Sequence, residues 1–340
     1  MGNKLLIVCI TYNQGLFIRQ ALNSFLMQKT NFPFEVIIGD DCSTDSTPRI
    51  IKEYSKKYPE IIKPILREEN IGATQNFVDT LSRAKTKYLA ICEGDDYWTD
   101  PLKLQKQVDF LESHPDYSIC FHPVEVKWED GSYPDSIFPN DKTRFYKDTL
   151  ELSDLLKHNF IQTNSVMYRW RFHKDSLSLI PDNILPGDWF LHLLHAQVGK
   201  IGFIPDVMAV YRKHNGGIWY GASEDPMWFC KDYKRKINFF VEVQKQFGVC
   251  MENSFYGTVF ETYYAAILLN KKEIVDDLEN KFSFLSKPKN NEFMIIAKLM
   301  ILKLKSKIGL KAVMNKENFK ALKLYKKWKY STLLSPKNSL

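Results

Sequence analysis

The sequence lacks several features that mark other classes of protein. Its six cysteines are scattered over 340 residues with no Cys-x-x-Cys pair, and reduced thiols in a cytosolic protein are the simplest interpretation. No apolar run approaches the roughly 20 residues that a membrane-spanning helix needs. A Gly-x-Gly-x-x-Gly fingerprint and a Walker loop are also missing, which disfavours nicotinamide and ATP chemistry. The remaining composition, 44% hydrophobic and 26% charged, is that of a globular protein.

The net positive charge of the chain comes from its last 60 residues. Residues 281–340 hold fifteen lysines and two glutamates, a balance of +13, so the first 280 residues carry −6 of the net +7. From about residue 290 the lysines alternate with apolar and aromatic residues, a pattern typical of a basic amphipathic helix that docks on an anionic membrane. A solvated lysine-rich helix packed on the acidic body is the alternative.

Apolar strand-like runs alternate with helical patterns in the first half of the chain. Strands are predicted at residues 5–10, 35–39, 61–66, 87–92 and 118–123, and helices between them near 16–28, 47–57, 74–84 and 101–113. This alternation predicts an α/β fold with a mostly parallel sheet and helices on both faces. In such sheets ligands bind outside the carboxyl ends of the strands.

The second half of the chain becomes increasingly helical. Residues 125–160 look irregular, with an amphipathic stretch at their end, and a strand at 163–168 is followed by a helix from Asp188 and by strands at 200–204 and 207–211. Helices are predicted at 227–247, 254–269, 272–284, 292–307 and 316–328. We therefore predict an α/β domain over residues 1–222 and a helical C-terminal region with a basic tail over residues 223–340.

Acidic and polar residues cluster where the predicted strands end. Asp95 and Asp96 follow the fourth strand. Two carboxylates this close repel each other unless a cation neutralises them, and Mg²⁺ or Mn²⁺ binds such ligands together with substrate phosphates. A solvated turn before the helix that starts at Asp100 is the other interpretation. Similar polar segments, 11–13 and 40–41, end the first two strands, so all three should lie along one edge of the sheet.

Four short motifs occur in order along residues 4–222. They are Ile10-Thr11-Tyr12-Asn13, Ile38-Gly39-Asp40-Asp41-Cys42-Ser43-Thr44-Asp45, Glu93-Gly94-Asp95-Asp96 and Pro186-Gly187-Asp188-Trp189. Together they resemble the inverting glycosyltransferases of family 2, which have a GT-A fold. The segment 211–219 is similar to the bacterial branch of that family that builds surface polysaccharides, including lipopolysaccharide and capsule.

The resemblance implies how the first three motifs bind a nucleotide sugar. Thr11, Tyr12 and Asn13 would line the nucleotide. Asp41 would accept a hydrogen bond from the imide of its base, because an ionised carboxylate only accepts. A helix N-cap cluster around Asp41 is the alternative. Asp95 would lie close to the ribose or the donor sugar, and Asp96 would be the main ligand of a divalent metal, Mn²⁺ or Mg²⁺.

The same resemblance implies that the later motifs supply the base and further donor contacts. Asp188 matches the family's catalytic base, which removes the proton of the acceptor hydroxyl, although it also stands where a helix N-cap is predicted. Arg212 would contact the diphosphate, because guanidinium pairs well with phosphate oxygens. His214 would be a further metal ligand, with a solvated loop histidine as the alternative.

We therefore expect a glycosyltransferase that moves one sugar from a nucleotide-diphosphate sugar, in particular a UDP-sugar, to a lipid-linked or surface-polysaccharide acceptor with inversion. A single transfer per encounter is expected because the Gln-x-x-Arg-Trp signature of processive relatives is broken: Val166 stands where glutamine is required before Arg169 and Trp170. Such an enzyme would work in the cytoplasm, at the inner face of the cytoplasmic membrane.

Two other functions remain open at this point. A nucleotidyltransferase acting on sugar phosphates would also use a nucleotide-binding sheet and metal carboxylates, but it usually carries a glycine-rich basic loop near its N-terminus. Residues 11–17 contain one glycine and no cation. A non-catalytic nucleic-acid-binding protein would use the lysine-rich tail. That tail has no RNA-recognition motif and the body is acidic, so we expect no nucleic-acid partner.

Overall fold

The computed structural model of the chain describes residues 3–140, 149–172, 179–220, 225–282 and 285. Contacts between residues divide the chain into two units, residues 1–220 and residues 221–340. None of the helices in the described residues is long and apolar enough to span a membrane. The helices predicted at 292–307 and 316–328, and with them the basic tail, lie outside the described residues.

A seven-stranded sheet forms the centre of the first unit. Its strands are β1 (Leu5–Thr11), β2 (Phe34–Asp40), β3 (Ile62–Leu66), β4 (Tyr88–Ile91), β6 (Tyr117–Phe121), β9 (Met167–Arg169) and β10 (Lys200–Phe203). They lie in the order β10-β6-β9-β4-β1-β2-β3. Every pair is parallel except those that β9 makes with β4 and β6. The predicted α/β fold with a mostly parallel sheet is therefore confirmed.

A second sheet contains four short strands. They are β5 (Tyr97–Trp98), β7 (Val124–Trp128), β8 (Ser136–Phe138) and β11 (Ala209–Lys213), in the order β5-β11-β7-β8. The central strand β11 is antiparallel to β5 and parallel to β7. Because β5 follows closely after β4, this pairing brings the late part of the unit beside the segment in which Asp95 and Asp96 lie.

The helices of the first unit agree with the predicted alternation. The described ones are α1 (Ile18–Leu26), α2 (Thr47–Lys57), α3 (Ala73–Leu81), α4 (Lys103–Ser113), α5 (Leu152–Leu155) and α6 (Gly187–Ala196). Leu5, Ile7 and Cys9 of β1 are fully buried in one core with Leu22 and Phe25 of α1. Strand β1 is a continuous apolar run because helices cover both faces of a parallel sheet.

Three local predictions are wrong. Residues 163–165 do not begin a strand but form a 3₁₀ turn, and only Met167–Arg169 pair with the sheet. The described parts of residues 125–160 are not irregular throughout, since β7, β8 and α5 lie there. The helix predicted at 227–247 is interrupted because Asp232 has a positive φ of 53°. Its two parts are α7 (Pro226–Cys230) and α8 (Tyr233–Phe247).

The described part of the second unit is helical, as predicted. Its remaining helices are α9 (Glu252–Leu268) and α10 (Lys272–Lys281). Their apolar faces share a core with α7 and α8, to which Phe229, Ile237, Val259, Ala265 and Leu278 contribute. Helix α8 ends at Gly248, which adopts the left-handed conformation (φ 68°) that commonly closes a helix.

Candidate active site

The loops that follow β1 and β2 are joined by hydrogen bonds. The amide N–H of Asn13 donates to Ser43 Oγ at 2.8 Å, and the amide N–H of Thr44 donates to Asn13 Oδ1 at 2.8 Å. The hydroxyl of Thr11 donates to Gln14 Oε1 at 2.7 Å. Tyr12 keeps 48% of its surface exposed between these anchored neighbours. Hydrogen bonds thus hold the residues on both sides of Tyr12, and the ring of Tyr12 remains accessible.

Asp41 is buried and holds the start of α3. Its Oδ1 accepts a hydrogen bond from the amide of Ile71 and its Oδ2 accepts one from the amide of Gly72, both at 2.9 Å. Gly72 has a positive φ of 86°, which favours glycine, and the first residue of α3 follows it. The carboxylate predicted to read the nucleotide base therefore already fixes a loop, and its role in base binding stays a prediction.

The two acids of the third motif have different surroundings. Asp96 is 2% exposed, and its Oδ1 accepts a hydrogen bond from the amide of Arg212 at 2.8 Å. Burial, together with the charges of Asp95 and Glu93, raises the pKa of Asp96 well above its usual value. Asp95 is less buried, and its Oδ2 lies 3.0 Å from Nε2 of His214. The structure thus places the side chain of Asp95, rather than that of Asp96, against the predicted histidine ligand.

Glu93 is a site residue that the sequence reasoning missed. Its Oε2 is buried and has no hydrogen-bond partner among the described residues. Burial, followed by the charge of Asp95, raises the pKa of Glu93 to about 8. An acid two residues before Asp95, with Gly94 between them, was the signal available in the third motif. A buried carboxyl with an unused oxygen beside charged neighbours is a usual feature of a ligand site.

Asp188 occupies the first turn of α6, where a carboxylate is favoured by the helix dipole. The hydroxyl of Thr163 donates to Asp188 Oδ2 at 2.8 Å. Burial raises the pKa of Asp188, and the hydrogen bonds from Thr163 and from the amide of Trp189 act in the opposite direction. The predicted base is therefore held in one orientation with one carboxylate oxygen, Oδ1, left outside the bond with Thr163.

Tyr211, on β11, connects the two groups of acids. Burial raises its pKa well above the usual value, and the charges of Asp96, Asp95, Glu93 and Asp188 raise it further. All four carboxylates are therefore near enough to the phenol of Tyr211 to raise its pKa. That the predicted metal acids and the predicted base form one site stays a prediction.

Arg212 does not present its side chain to this site. Its Nε donates to Glu129 Oε1 at 2.8 Å, its Nη1 to the main-chain oxygen of Asp95 at 2.5 Å, and its Nη2 to Gln20 Oε1. Only 6% of the residue is exposed. Since each of its side-chain nitrogens already donates to the protein, the contact with the diphosphate that was predicted for Arg212 finds no support in the geometry and stays untested.

Few of the described side chains are arranged to hold a metal ion. In the ranges that the structure describes, no group of three or more histidine, cysteine or acidic side chains has the geometry of a metal site. Asp95 and His214 together offer one carboxylate oxygen and one imidazole nitrogen. The amide of Gly216 donates to His214 Nδ1, which places the proton of a neutral ring on Nε2, facing Asp95. The protein thus offers the carboxylate of Asp95, and the imidazole of His214 once the proton has left Nε2, and the rest of a coordination shell would have to come from substrate or water.

Two relatives match large parts of the chain. An uncharacterized protein of Mycobacterium tuberculosis is 54% identical over 219 residues, which are 64% of this chain and 61% of that protein. TuaG of Bacillus subtilis, a putative teichuronic acid biosynthesis glycosyltransferase, is 32% identical over 161 residues, 47% of this chain and 60% of TuaG. The chain therefore spans about three fifths of the length of these relatives.

Two solved structures share the fold. The mannosyltransferase PcManGT of Pyrobaculum calidifontis, in complex with GDP-Man and Mn²⁺, superposes with a TM-score of 0.55 at 15% identity, covering 99% of this chain and 82% of PcManGT. TarS of Staphylococcus aureus, a poly(ribitol-phosphate) beta-N-acetylglucosaminyltransferase, in complex with UDP-GlcNAc, gives 0.51 at 18% identity, covering 96% and 92%. At these identities the similarity concerns the fold, and it supports the predicted GT-A architecture.

A family profile decides the classification. The profile described as glycosyl transferase family 2 matches residues 6–177, half of the chain, from β1 through the third motif to the region beyond β9. The match therefore includes the third motif. It does not extend to Asp188, Arg212 and His214. With the ordered motifs and the GT-A fold on the same residues, the chain belongs to glycosyl transferase family 2.

Proposed function

We propose that the chain is a glycosyltransferase that moves one sugar from a nucleotide-diphosphate sugar to a hydroxyl of a lipid-linked or surface-polysaccharide acceptor, with inversion at the anomeric carbon. The observation that carries the proposal is that Thr163 orients Asp188 and that Asp188 and the three acids of the third motif all lie near the phenol of Tyr211. A base and a donor-binding set of carboxylates in one site are what a one-step displacement needs.

The donor is proposed to be a UDP-sugar. TarS, which is 28% identical to this chain over 223 residues, was solved with UDP-GlcNAc. The names of TuaG and TarS refer to teichuronic acid and poly(ribitol-phosphate), which are polymers, and this supports a polymeric or oligomeric acceptor. The exposed ring of Tyr12 on the anchored first motif is the surface on which we place the nucleotide.

In the proposed reaction Asp188 is the general base. Its carboxylate takes the proton of the acceptor hydroxyl while that oxygen attacks the anomeric carbon, and the nucleoside diphosphate leaves from the opposite face. Thr163 holds Oδ2, so Oδ1 is the oxygen that faces the acceptor in this proposal. Burial raises the proton affinity of Asp188, which strengthens it as a base as long as it remains ionised.

Asp95 and His214 are proposed to hold a divalent cation, Mn²⁺ or Mg²⁺. When bound, such a cation neutralises negative charge on a departing diphosphate. Carboxylate and imidazole are ligands that Mn²⁺ accepts, and the cation would replace the proton of His214 Nε2 that faces Asp95 in the free protein. The ligand role predicted for Asp96 stays a prediction, but its Oδ1 already binds the amide of Arg212, and we therefore place the cation on Asp95. The fold relative PcManGT was solved with Mn²⁺.

The cellular setting is also a proposal. We place the enzyme in the cytoplasm, at the inner face of the cytoplasmic membrane, where a lipid-linked acceptor would be available. The basic tail that would contact anionic lipids lies outside the described residues. Binding of the chain to vesicles that contain anionic lipid, and loss of that binding at high salt, would test this part alone.

The reaction is tested by measuring hydrolysis and transfer with a panel of nucleotide sugars and Mn²⁺. We expect turnover with a UDP-sugar by the wild-type chain, and loss of turnover with retained donor binding in Asp188→Asn. Asp182→Asn, which changes an exposed acid five residues before the helix, is the matched control and should keep wild-type rates. A β-linked product from an α-linked donor is expected, and an α-linked product would refute inversion.

The two alternative functions have distinct signatures in the same experiment. A nucleotidyltransferase would release pyrophosphate from a nucleoside triphosphate and a sugar phosphate. A nucleic-acid-binding protein would shift an oligonucleotide in a salt-sensitive manner and leave every nucleotide sugar intact. Either result, obtained without sugar transfer, would replace the proposed activity.

A further inference from the structure

Arg212 is the most extensively bonded side chain of the candidate site. Its Nε, Nη1 and Nη2 donate to Glu129 Oε1 at 2.8 Å, to the main-chain oxygen of Asp95 at 2.5 Å and to Gln20 Oε1. Glu129 follows β7, Asp95 lies between β4 and β5, and Gln20 is in α1. One planar cation therefore joins three parts of the unit that are far apart in sequence.

The main chain and the aromatic neighbours of Arg212 extend this connection to both sides of the site. Its amide donates to Asp96 Oδ1 at 2.8 Å. Its guanidinium carbon lies 4.4 Å from the ring centre of Tyr97 and 5.0 Å from that of Phe17. The ring of Phe17 in turn lies 4.5 Å from that of His214. Contacts from one arginine thus reach the backbone of Asp95 and the ring of His214.

A structural ion pair alone would not require this arrangement. The pair with Glu129 would satisfy the charge of Arg212 without any contact with the third motif. Instead, Nη1 is used to hold the carbonyl of Asp95, whose carboxylate is the one that faces His214. Lysine carries the same charge but has no planar fork, so it would reach one of these acceptors at a time.

We propose that Arg212 is a positioning residue, which fixes the main chain of Asp95 and, through Phe17, the ring of His214, so that the Asp95 carboxylate and His214 Nε2 stay 3.0 Å apart. This inference rests on the proposed function for the identity of the ligand, a divalent cation, but the positioning itself is a property of the free protein. It replaces the diphosphate contact predicted for Arg212 with a role inside the protein.

The test uses Arg212→Lys and two measurements on the full chain without donor. The first is the affinity for Mn²⁺, measured from the free-ion electron paramagnetic resonance signal. Loss of a residue that orients metal ligands typically weakens metal binding about 10- to 100-fold, and we expect a Kd at least tenfold higher. The second is amide hydrogen exchange, which we expect to become faster in residues 93–98. Arg19→Lys, in an exposed pair with Glu53, is the matched control and should change neither.

Two further variants keep the outcomes distinct. Glu129→Gln keeps the shape of one acceptor and should shift both measurements in the same direction by less, which covers the case that Arg212→Lys does not fold. Asp95→Asn should raise the Kd for Mn²⁺ at least about tenfold. If Asp95→Asn has this effect while Arg212→Lys and Glu129→Gln bind Mn²⁺ and exchange like the wild type, the positioning role is refuted and the proposed metal stands. If the wild type binds no Mn²⁺ but exchange in residues 93–98 still accelerates in Arg212→Lys, the metal is refuted and the positioning role stands.

Discussion

The hydroxyl of Thr163 donates a 2.8 Å hydrogen bond to Oδ2 of Asp188. Thr163 belongs to a 3₁₀ turn just before β9, and Asp188 to the first turn of α6, so the bond is made between two elements separated by 25 residues. Its effect on Asp188 is electrostatic as well as geometric, because it lowers a pKa that burial raises. The bond therefore favours the ionised carboxylate, which is the form that a general base needs.

Thr163→Val should slow transfer and shift its pH dependence. A hydrogen bond to a charged group is worth about 1.5–3 kcal/mol, so we expect kcat to fall at least about tenfold. Without the bond the pKa of Asp188 rises further, and because the base works ionised, the acid limb of the kcat/KM profile should move to higher pH. Steady-state kinetics between pH 5 and 8 measure both effects.

Thr163→Ser is the control for this prediction, since it keeps a hydroxyl at the same position. Its acid limb should stay at the wild-type pH even if packing changes lower kcat slightly. A Thr163→Val enzyme with wild-type kcat and an unshifted acid limb would show that the hydrogen bond plays no part in proton transfer.

The central sheet was largely predictable because its determinants are local. In β1, β2, β3 and β4 the apolar runs are flanked by helical periodicity, and the strands lie within about one residue of the predicted bounds. The polar ends of β1, β2 and β4 meet at one edge because parallel strands place their carboxyl ends together. Here the pattern of neighbouring residues and the tertiary structure require the same arrangement.

The arrangement around Arg212 was not predictable for the opposite reason. Its partners Gln20, Asp95 and Glu129 are 192, 117 and 83 residues away in sequence, and the pairing of β11 with β5 and β7 brings them together. Strands as short as β5 leave almost no periodic signal. The distinction between Asp95 and Asp96 likewise depends on which carboxylate the amide of Arg212 reaches.

Asp95→Asn and Asp96→Asn should differ in their effect on Mn²⁺ binding. Asp95 faces His214, and an amide oxygen is a weaker ligand than a carboxylate, so Asp95→Asn should raise the Kd for Mn²⁺ at least about tenfold. An asparagine at 96 still accepts the hydrogen bond from the amide of Arg212 and removes a buried charge, so we expect less than about a threefold change. Titration of both variants with Mn²⁺ makes the comparison, and the reverse order would return the metal to Asp96.

Lys103→Met should remove a specific pH dependence of stability. Lys103 is fully buried in α4, where its Nζ donates to Gln107 Oε1 at 2.6 Å, and burial lowers its pKa from 10.5 to about 7. Between about pH 7 and pH 10.5 the unfolded chain binds more protons at this residue, so its contribution to stability increases with pH and is lost as pH falls towards 7. The wild-type free energy of unfolding should therefore rise relative to that of Lys103→Met, by at most about 1.4 kcal/mol per pH unit.

Urea unfolding of both proteins at pH 7, 8 and 9 measures this difference in the free energy of unfolding. The contributions of all other titratable groups cancel, because the two proteins share them. Lys85→Met, in an exposed position before β4, is the matched control and should show no pH-dependent difference from the wild type. A constant difference between Lys103→Met and the wild type over this range would mean that Lys103 keeps its proton in the folded protein, as it does in the unfolded chain.

Gly94→Ala and Gly187→Ala provide a matched pair at the two ends of the site. A Cβ on Gly94 would lie 2.6 Å from Gln14 Oε1 and 2.7 Å from Thr11 Oγ1, which are hydrogen-bonded to each other. A Cβ on Gly187 would have no neighbour within 4 Å among the described residues, and the residue belongs to α6. Overpacking typically costs about 1–3 kcal/mol, and alanine is favoured over glycine in a helix.

Gly94→Ala should therefore lower Tm and weaken Mn²⁺ binding by displacing Asp95, whereas Gly187→Ala should keep or raise Tm. Equal Tm values for the two variants would show that Thr11 and Gln14 can move to make room for a methyl group at residue 94. The close approach of Gly94 to Thr11 would then not fix the position of Asp95.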